Sequence, residues 1–128
     1  MYAVELDRSK RLLVISAAQK VTSEEAKMVA QRIGEVLQDV APGFRVLADF
    51  RGLESMDSAA APHIAKMMDA LAEKEVASVT RVIPDPRKDI GLNILSQFHY
   101  GPDVTLTTFE TLADAVQSIA AKADSSPA

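Results

Sequence analysis

The segment that decides the fold is Val46-Leu47-Ala48-Asp49-Phe50-Arg51-Gly52-Leu53-Glu54-Ser55-Met56-Asp57-Ser58. Residues 44–50 are mostly apolar, as in a strand that is covered on both faces. Residues 51–56 predict a short loop, and Asp57-Ser58 predicts a helix start, since both side chains accept hydrogen bonds from N–H groups of a first helical turn. We therefore expect an inner strand that leads into a polar helix start.

Two strands and one helix are predicted before this segment. Residues 2–7 alternate loosely between apolar and polar side chains, and residues 12–15 form an apolar run, so a β-hairpin is the simplest interpretation. Thr22 and Glu25 match a capping box, in which each side chain accepts the backbone N–H of the other residue. Apolar residues then recur at helical spacing over residues 26–40, which predicts an amphipathic helix.

Strands and helices alternate in the rest of the chain. Residues 77–83 and 104–109 predict two more strands, and helices are predicted to begin at Asp57, Pro86 and Thr111. Strands that are separated by helices pair in parallel through right-handed crossovers. The sequence thus predicts an α/β fold with a mixed, mainly parallel five-stranded sheet and helices in the order ββαβαβαβα.

The composition is typical of a globular domain with an acidic surface. The chain has 128 residues, a formal net charge of −4 and no cysteine. An acidic surface repels phosphate backbones and anionic lipids, so neither nucleic acid nor a membrane is an expected partner. No signal peptide is visible, and we expect a cytoplasmic protein. We also expect a single domain over residues 1–122 and a disordered tail over residues 123–128.

The sequence lacks the residue patterns that equip catalytic, metal or phosphate sites. Its five glycines are scattered, so no Gly-rich phosphate loop can form. Its two histidines lack metal-ligand spacing, and no thiol is available. Ser58 and His63 would lie about 140° apart around a helix, which is poor geometry for a nucleophile and its base. We therefore expect no enzymatic activity, no metal site and no cofactor.

The helix start and its surroundings resemble the STAS domains, typified by bacterial anti-sigma-factor antagonists. In those domains a strand ending in Asp is followed by a Phe- or Met-Asp-Ser-Ser-Gly element, which residues 56–58 match at its first three positions. The N-terminal hairpin and the closing Phe-x-Thr-x-x-Asp-Ala stretch, residues 109–115, resemble the SpoIIAA-like branch. The second Ser, which is phosphorylated in that family, is replaced by Ala59, and the Gly by Ala60. The resemblance implies a non-enzymatic domain that binds a protein partner, anti-sigma or kinase-like, in bacterial signalling.

The candidate binding or regulatory residues are Asp57, Ser58, Asp49 and Ser55. The N–H groups and the positive dipole end expected at the helix start would stabilise an added phosphate or a partner's carboxylate. The alternative is that Asp57 and Ser58 only cap the helix, a role that contributes about 1 kcal/mol. For Asp49 the simpler interpretation is a carboxylate that accepts loop N–H groups.

A second function hypothesis is a small-molecule carrier or sensor for an apolar ligand or a nucleotide. Its pocket would be lined by Met67, Met68, Ile94 and Phe98. Four further residues indicate a contact surface, a pocket wall or a homodimer interface: Met28, Leu92, His99 and Tyr100.

Overall fold

The computed structural model describes residues 1–83, 85, 100 and 103–125, the last four of them by their backbone. The elements are β1 (Tyr2–Asp7), β2 (Leu12–Val21), α1 (Ser23–Leu37), β3 (Arg45–Met56), a 3-10 turn (Ser58–Ala60), α2 (Ala61–Glu73), β4 (Ser78–Val82), β5 (Thr105–Phe109) and α3 (Leu112–Ser125). The helix predicted to begin at Pro86 lies outside the described residues.

Within the described residues, the strands form one sheet in the order β1-β2-β3-β4-β5. β1 runs antiparallel to β2, and the three remaining neighbour pairs are parallel. Each crossover thus leads to the adjacent strand, as expected for short connections. The predicted α/β class and the mixed, mainly parallel five-stranded sheet are confirmed.

The sheet separates two layers of helix, because successive side chains of a strand point to opposite faces. On one face Leu13 and Val46 are buried in the main core together with residues of α1 and α2. On the other face Leu47 and Val82 pack with Ala115 of α3. The first half of β3 is therefore covered on both faces, which accounts for its apolar sequence.

The predicted capping box opens α1. Thr22 Oγ1 accepts the N–H of Glu25 at 3.1 Å, and Thr22 is the N-cap residue. The Glu25 carboxylate also pairs with the Met1 amine at 2.6 Å, and this contact is the main reason why the pKa of Glu25 lies below its ordinary value of 4.5. The buried face of the helix consists of Ala26, Val29, Ile33 and Leu37.

β2 and β3 are both longer than predicted. The loop predicted over residues 51–56 is the second half of β3, which pairs with an extension of β2 as far as Val21. Register shifts between residues 16 and 18 and between residues 19 and 20 of β2 each leave one extra residue on β3. The loop prediction is wrong because residues 51–55 are largely exposed, so this half of the strand lacks an apolar pattern.

Two unusual backbone features accompany these bulges. Gly52 lies so close to β2 that a Cβ added there would be 3.0 Å from the Cβ of Ala18. Gln19 has φ +61°, in the left-handed region that L-residues rarely occupy. The pairing of β2 and β3 past the bulges therefore depends on Gly52 in β3, which has no side chain, and on the strained backbone of Gln19 in β2.

The C-terminal helix is longer than expected. α3 continues to Ser125, so residues 123–125, which were predicted to lie in the disordered tail, are helical. Residues 126–128 lie outside the described residues. The single domain over residues 1–122 stays a prediction.

Candidate functional site

The ends of β2 and β3 lead to a surface segment, residues 55–60, which we call the helix opening. The last register pair of these strands is Val21 with Met56, and the N–H of Asp57 donates to the Val21 carbonyl at 3.0 Å. The chain then forms the 3-10 turn and enters α2, with Pro62 in the first helical turn. β3 therefore places the helix opening at the carboxyl edge of the sheet, where α/β proteins commonly bind ligands.

Asp57 is held by β2 and not by the helix that it precedes. Its side chain makes no cap hydrogen bond. The carboxylate pairs instead with Lys20 Nζ at 3.3 Å. The prediction that this side chain caps a helix is wrong, because the next element is a tight turn in which the backbone carbonyl of Asp57 already accepts the N–H of Ala60 at 2.9 Å. The Lys20–Asp57 pair thus ties the ends of the two strands together.

The 3-10 turn has one anchored side and one exposed side. Ala60 is fully buried and packs with Val21 and Ala26 in a group that we call the small cluster. Ser58 and Ala59 are exposed. The hydroxyl-bearing side of the turn is therefore accessible to a partner, while its apolar side is fixed to the domain. Ser55, on the last part of β3, is also exposed.

Asp49 lies apart from the helix opening. Its carboxylate accepts hydrogen bonds from Nε and Nη2 of Arg51, both at 2.9 Å, and from the Arg51 backbone N–H at 3.1 Å. The hydrogen bonds from the Arg51 side chain are the largest cause of a lowered pKa at Asp49, which lies below its ordinary value of 3.8. The backbone hydrogen bond lowers the pKa further, and burial opposes the shift. The pair borders a groove that also includes Tyr2 and Gly52. Asp49 was predicted to accept loop N–H groups; it does accept N–H groups, but they belong to Arg51 on β3 and not to a loop, and the structure does not bring Asp49 together with Asp57 and Ser58.

The residues predicted to form an interface lie in different surroundings. Met28 is exposed on α1, with 48% of its surface accessible. Tyr100 packs against the main core, and burial raises the pKa of its phenol well above the ordinary value, an effect that nearby Arg81 opposes. Tyr100 also lines an apolar cavity, which is described next. Leu92 and His99 lie outside the described residues, and an interface role for the four stays a prediction.

An apolar cavity of about 80 Å³ lies between the sheet and the helices α1 and α2. Met67 and Met68 line it, as predicted for a ligand pocket, whereas Ile94 and Phe98 lie outside the described residues. Drug-sized ligands occupy pockets of roughly 300–1,000 Å³. A cavity of the observed size does not favour a nucleotide carrier. At about 24 cal/mol per Å³, it lowers the stability of the fold by about 2 kcal/mol.

Two residues that shape the helix opening were missed by the sequence analysis. Lys20 and Gly52 were not singled out, because β2 was predicted to end at residue 15 and residues 51–56 to form a loop. A signal was present: residues 16–21 contain no Gly, Pro, Asn or Asp, the residues that commonly end a strand. Their continuation as a strand places Lys20 beside the end of β3.

Two other kinds of feature are absent from the described part of the chain. No group of three or more His, Cys, Asp or Glu side chains there is arranged to hold a metal ion. Of the helices that the structure describes, none has the length and apolar character needed to span a bilayer.

Comparisons with known proteins identify the fold. No protein-family model matches the chain, and no curated protein matches it. An uncharacterised protein of the DUF3478 family with a SpoIIAA-like fold, from Shewanella loihica PV-4, is 21% identical with a TM-score of 0.71, over 92% of this chain and 93% of that one. The anti-sigma factor antagonist SpoIIAA in its unphosphorylated form is 16% identical with a TM-score of 0.64, over 94% and 98%.

A third match comes from a protein complex. It is a chain in the structure of the diguanylate cyclase SiaD with its activator SiaC, from Pseudomonas aeruginosa, with 13% identity and a TM-score of 0.54 over 85% of this chain and 93% of that one. All three similarities concern the fold. The chain has the SpoIIAA-like fold of the STAS domains, as its sequence predicted.

Proposed function

We propose that this protein is a non-enzymatic interaction domain that binds a protein partner through the helix opening. The observation that carries the proposal is the turn at Ser58 and Ala59, which is exposed on one side and anchored on the other by Ala60 and by the Lys20–Asp57 pair. A turn that is already ordered loses little conformational entropy when a partner binds.

The names of the structural neighbours support a protein partner. One is an anti-sigma factor antagonist, and another is part of a complex between an enzyme and its activator. Both names describe proteins that act on another protein. By this analogy we propose an anti-sigma or kinase-like partner in a bacterial signalling pathway, with the encounter in the cytoplasm.

Residue-specific crosslinking tests this proposal. A photo-crosslinking amino acid at position 58 in the source cells is expected to capture a defined protein, whereas the same group at Gln117, an exposed position on α3, is not. With that partner purified, Ser58→Arg is expected to weaken binding at least about tenfold, because a bulky charge at the centre of an interface is costly. Gln117→Arg is the matched control. Equal crosslinking from both positions, or equal affinity of both Arg variants, would contradict the proposal.

Ser58 is the residue of this turn at which phosphorylation could control binding, since Ala59 has no hydroxyl. A phosphate on Ser58 would add negative charge beside Asp57 and would alter the surface offered to a partner. The Ser58→Ala variant separates this role from a structural one. We expect it to change partner affinity with little change in stability, and we expect the wild type from its source cells to carry a phosphoryl group that the variant lacks. If partner affinity is unchanged and neither protein carries a phosphoryl group, Ser58 has only a structural role.

A further inference from the structure

The apolar cavity extends from the main core to the underside of the helix opening. Its walls come from β1, β2, β3 and β4 on one side and from α1 and α2 on the other. Nearly all of the described lining is aliphatic or aromatic carbon. The described lining residues with a polar side-chain group are Tyr2, Ser16, Arg81 and Tyr100.

The lining determines the chemical class of molecule that fits. Arg81 is buried and donates to Thr108 Oγ1 at 2.8 and 3.2 Å, so its guanidinium is fixed as part of the wall and disfavours a cationic ligand. The remaining walls offer little to satisfy an anion or several polar groups, whose burial is costly. An engineered apolar cavity of about 150 Å³ holds benzene, so 80 Å³ corresponds to roughly three carbon atoms.

Some residues that line the cavity also belong to the small cluster beneath the helix opening. Val21 and Ala26 line the cavity and belong to the small cluster that buries Ala60. Met56 and Ile64 line the cavity too and pack against that cluster. A molecule in the cavity would therefore contact the side chains on which the 3-10 turn rests.

We propose that this cavity is a binding site for a neutral, apolar molecule of about three carbon atoms, and that its occupancy changes the conformation or mobility of the helix opening. The binding of a molecule in the cavity is independent of the proposed function. A regulatory role for the change at the helix opening rests on the proposed function, because it requires that the helix opening binds a partner. The site would make the exposed turn responsive to a small apolar effector from within the domain.

Amide NMR spectra of the purified protein under xenon and cyclopropane test the site directly. Both probes are expected to give saturable shifts at lining residues and at the amides of Ser58 and Ala59, whereas benzene is expected to give none because it exceeds the cavity. Ala48→Val adds two methyl groups to the cavity wall on β3 and should weaken xenon binding at least about tenfold. Ala3→Val, the same change on an exposed strand position, is the control.

The outcomes separate this proposal from the proposed function. An absence of saturable shifts with either gas, or xenon binding that is equal in the wild type and Ala48→Val, overturns the site. Shifts confined to the core, with none at residues 58 and 59, overturn the link to the helix opening. If Ala48→Val does not fold, Ala17→Val on β2 fills the same space. None of these measurements uses a partner, so a failed crosslinking experiment leaves the cavity result standing, and the reverse also holds.

Discussion

At the scale of single residues, two ion pairs fix the polar part of the carboxyl edge, and they differ in strength. Arg51 binds Asp49 through two parallel hydrogen bonds, and the Asp49 side chain is only 17% exposed. Lys20 and Asp57 make a single contact, with side-chain exposures of 63% and 35%. The Asp49–Arg51 pair is thus held in a fixed geometry on β3. The Lys20–Asp57 pair lies at the surface and joins two strand ends, and a charged group of a partner could replace either of its members.

The role of Asp57 is testable by a double-mutant cycle. Lys20→Ala and Asp57→Ala are each expected to lower the free energy of unfolding by less than about 1 kcal/mol, with a coupling of about 0.5 kcal/mol between them. Urea denaturation of the four proteins measures both quantities. A helix cap would give a different result, because the cost of Asp57→Ala would then be the same with and without Lys20.

The lowered pKa of Asp49 predicts that the contribution of this residue to stability is lost at acid pH. Its pKa is lowered in the folded state, so its contribution to stability is complete above the unfolded pKa near 3.8 and is lost as the pH falls through the lower folded value. The difference in unfolding free energy between the wild type and Asp49→Asn should therefore be constant from pH 7 to about pH 5 and should shrink below about pH 4. Glu54→Gln, at an exposed position on the same strand, is the matched control variant. A constant difference down to pH 3 would argue against the Arg51 contact.

At the scale of elements, the bulged half of the β2–β3 pair is the part of the fold on which the helix opening depends. The two strands stay paired beyond Asp49 because Gly52 allows the backbones to approach and Gln19 adopts a left-handed conformation. The pairing then ends in the Val21–Asp57 hydrogen bond. A change that forces the strands apart would therefore displace the turn that carries Ser58 without touching it.

Two glycines are expected to respond to alanine in opposite directions. At Gly52 the added Cβ meets Ala18 at 3.0 Å, so Gly52→Ala should destabilise the protein by about 1–3 kcal/mol. Gly34 lies within α1 with open space around its Cα, and Gly34→Ala should stabilise it by about 0.5–1 kcal/mol. Denaturation midpoints measure both effects. Adding Ala18→Gly should restore part of the loss in the Gly52 variant, and a failure to do so would place the strain elsewhere.

The elements show where the sequence carries enough information. Thr22 and Glu25 predicted the start of α1 because a cap depends on neighbours in sequence. Residues 44–50 predicted the first half of β3 because both of its faces are buried. The second half and the Lys20–Asp57 pair could not be predicted in the same way, since they arise from register shifts between strands and not from a local pattern.

At the scale of the whole molecule, the sheet divides the domain into two parts with separate tasks. One face carries the main core, the cavity and the small cluster beneath the helix opening. The other face carries α3 and the core of Leu47, Val82 and Ala115. The mixed, mainly parallel character of the sheet was predictable, because strands that are separated by helices pair in parallel. Met67 and Met68 were predicted to line a pocket, whereas the size of the cavity and the rest of its described lining were not, since they depend on how side chains of distant segments fill space.

The cavity makes the domain less stable than it would be with the same space filled by side chains. Filling it with Ala48→Val should raise the free energy of unfolding by about 1–1.5 kcal/mol, since each buried methyl contributes about 0.8 kcal/mol. Leu71→Ala, which removes a side chain from the wall of the same cavity, should lower it by about 2–5 kcal/mol. Calorimetry or urea denaturation measures both. A loss of stability in Ala48→Val would show that the space is already closed by side-chain motion.

The two bulges also restrict how this protein can change in length. β3 has 12 residues and β2 has 10, yet the two strands are paired from Leu12 with Arg45 to Val21 with Met56. Because side chains alternate between the two faces, a single extra residue inverts everything that follows it, and a second one restores the order. Deleting one residue between positions 49 and 56 would turn Met56 away from the small cluster, whereas deleting two would return it. We expect homologous chains to differ in this segment by two residues or by none.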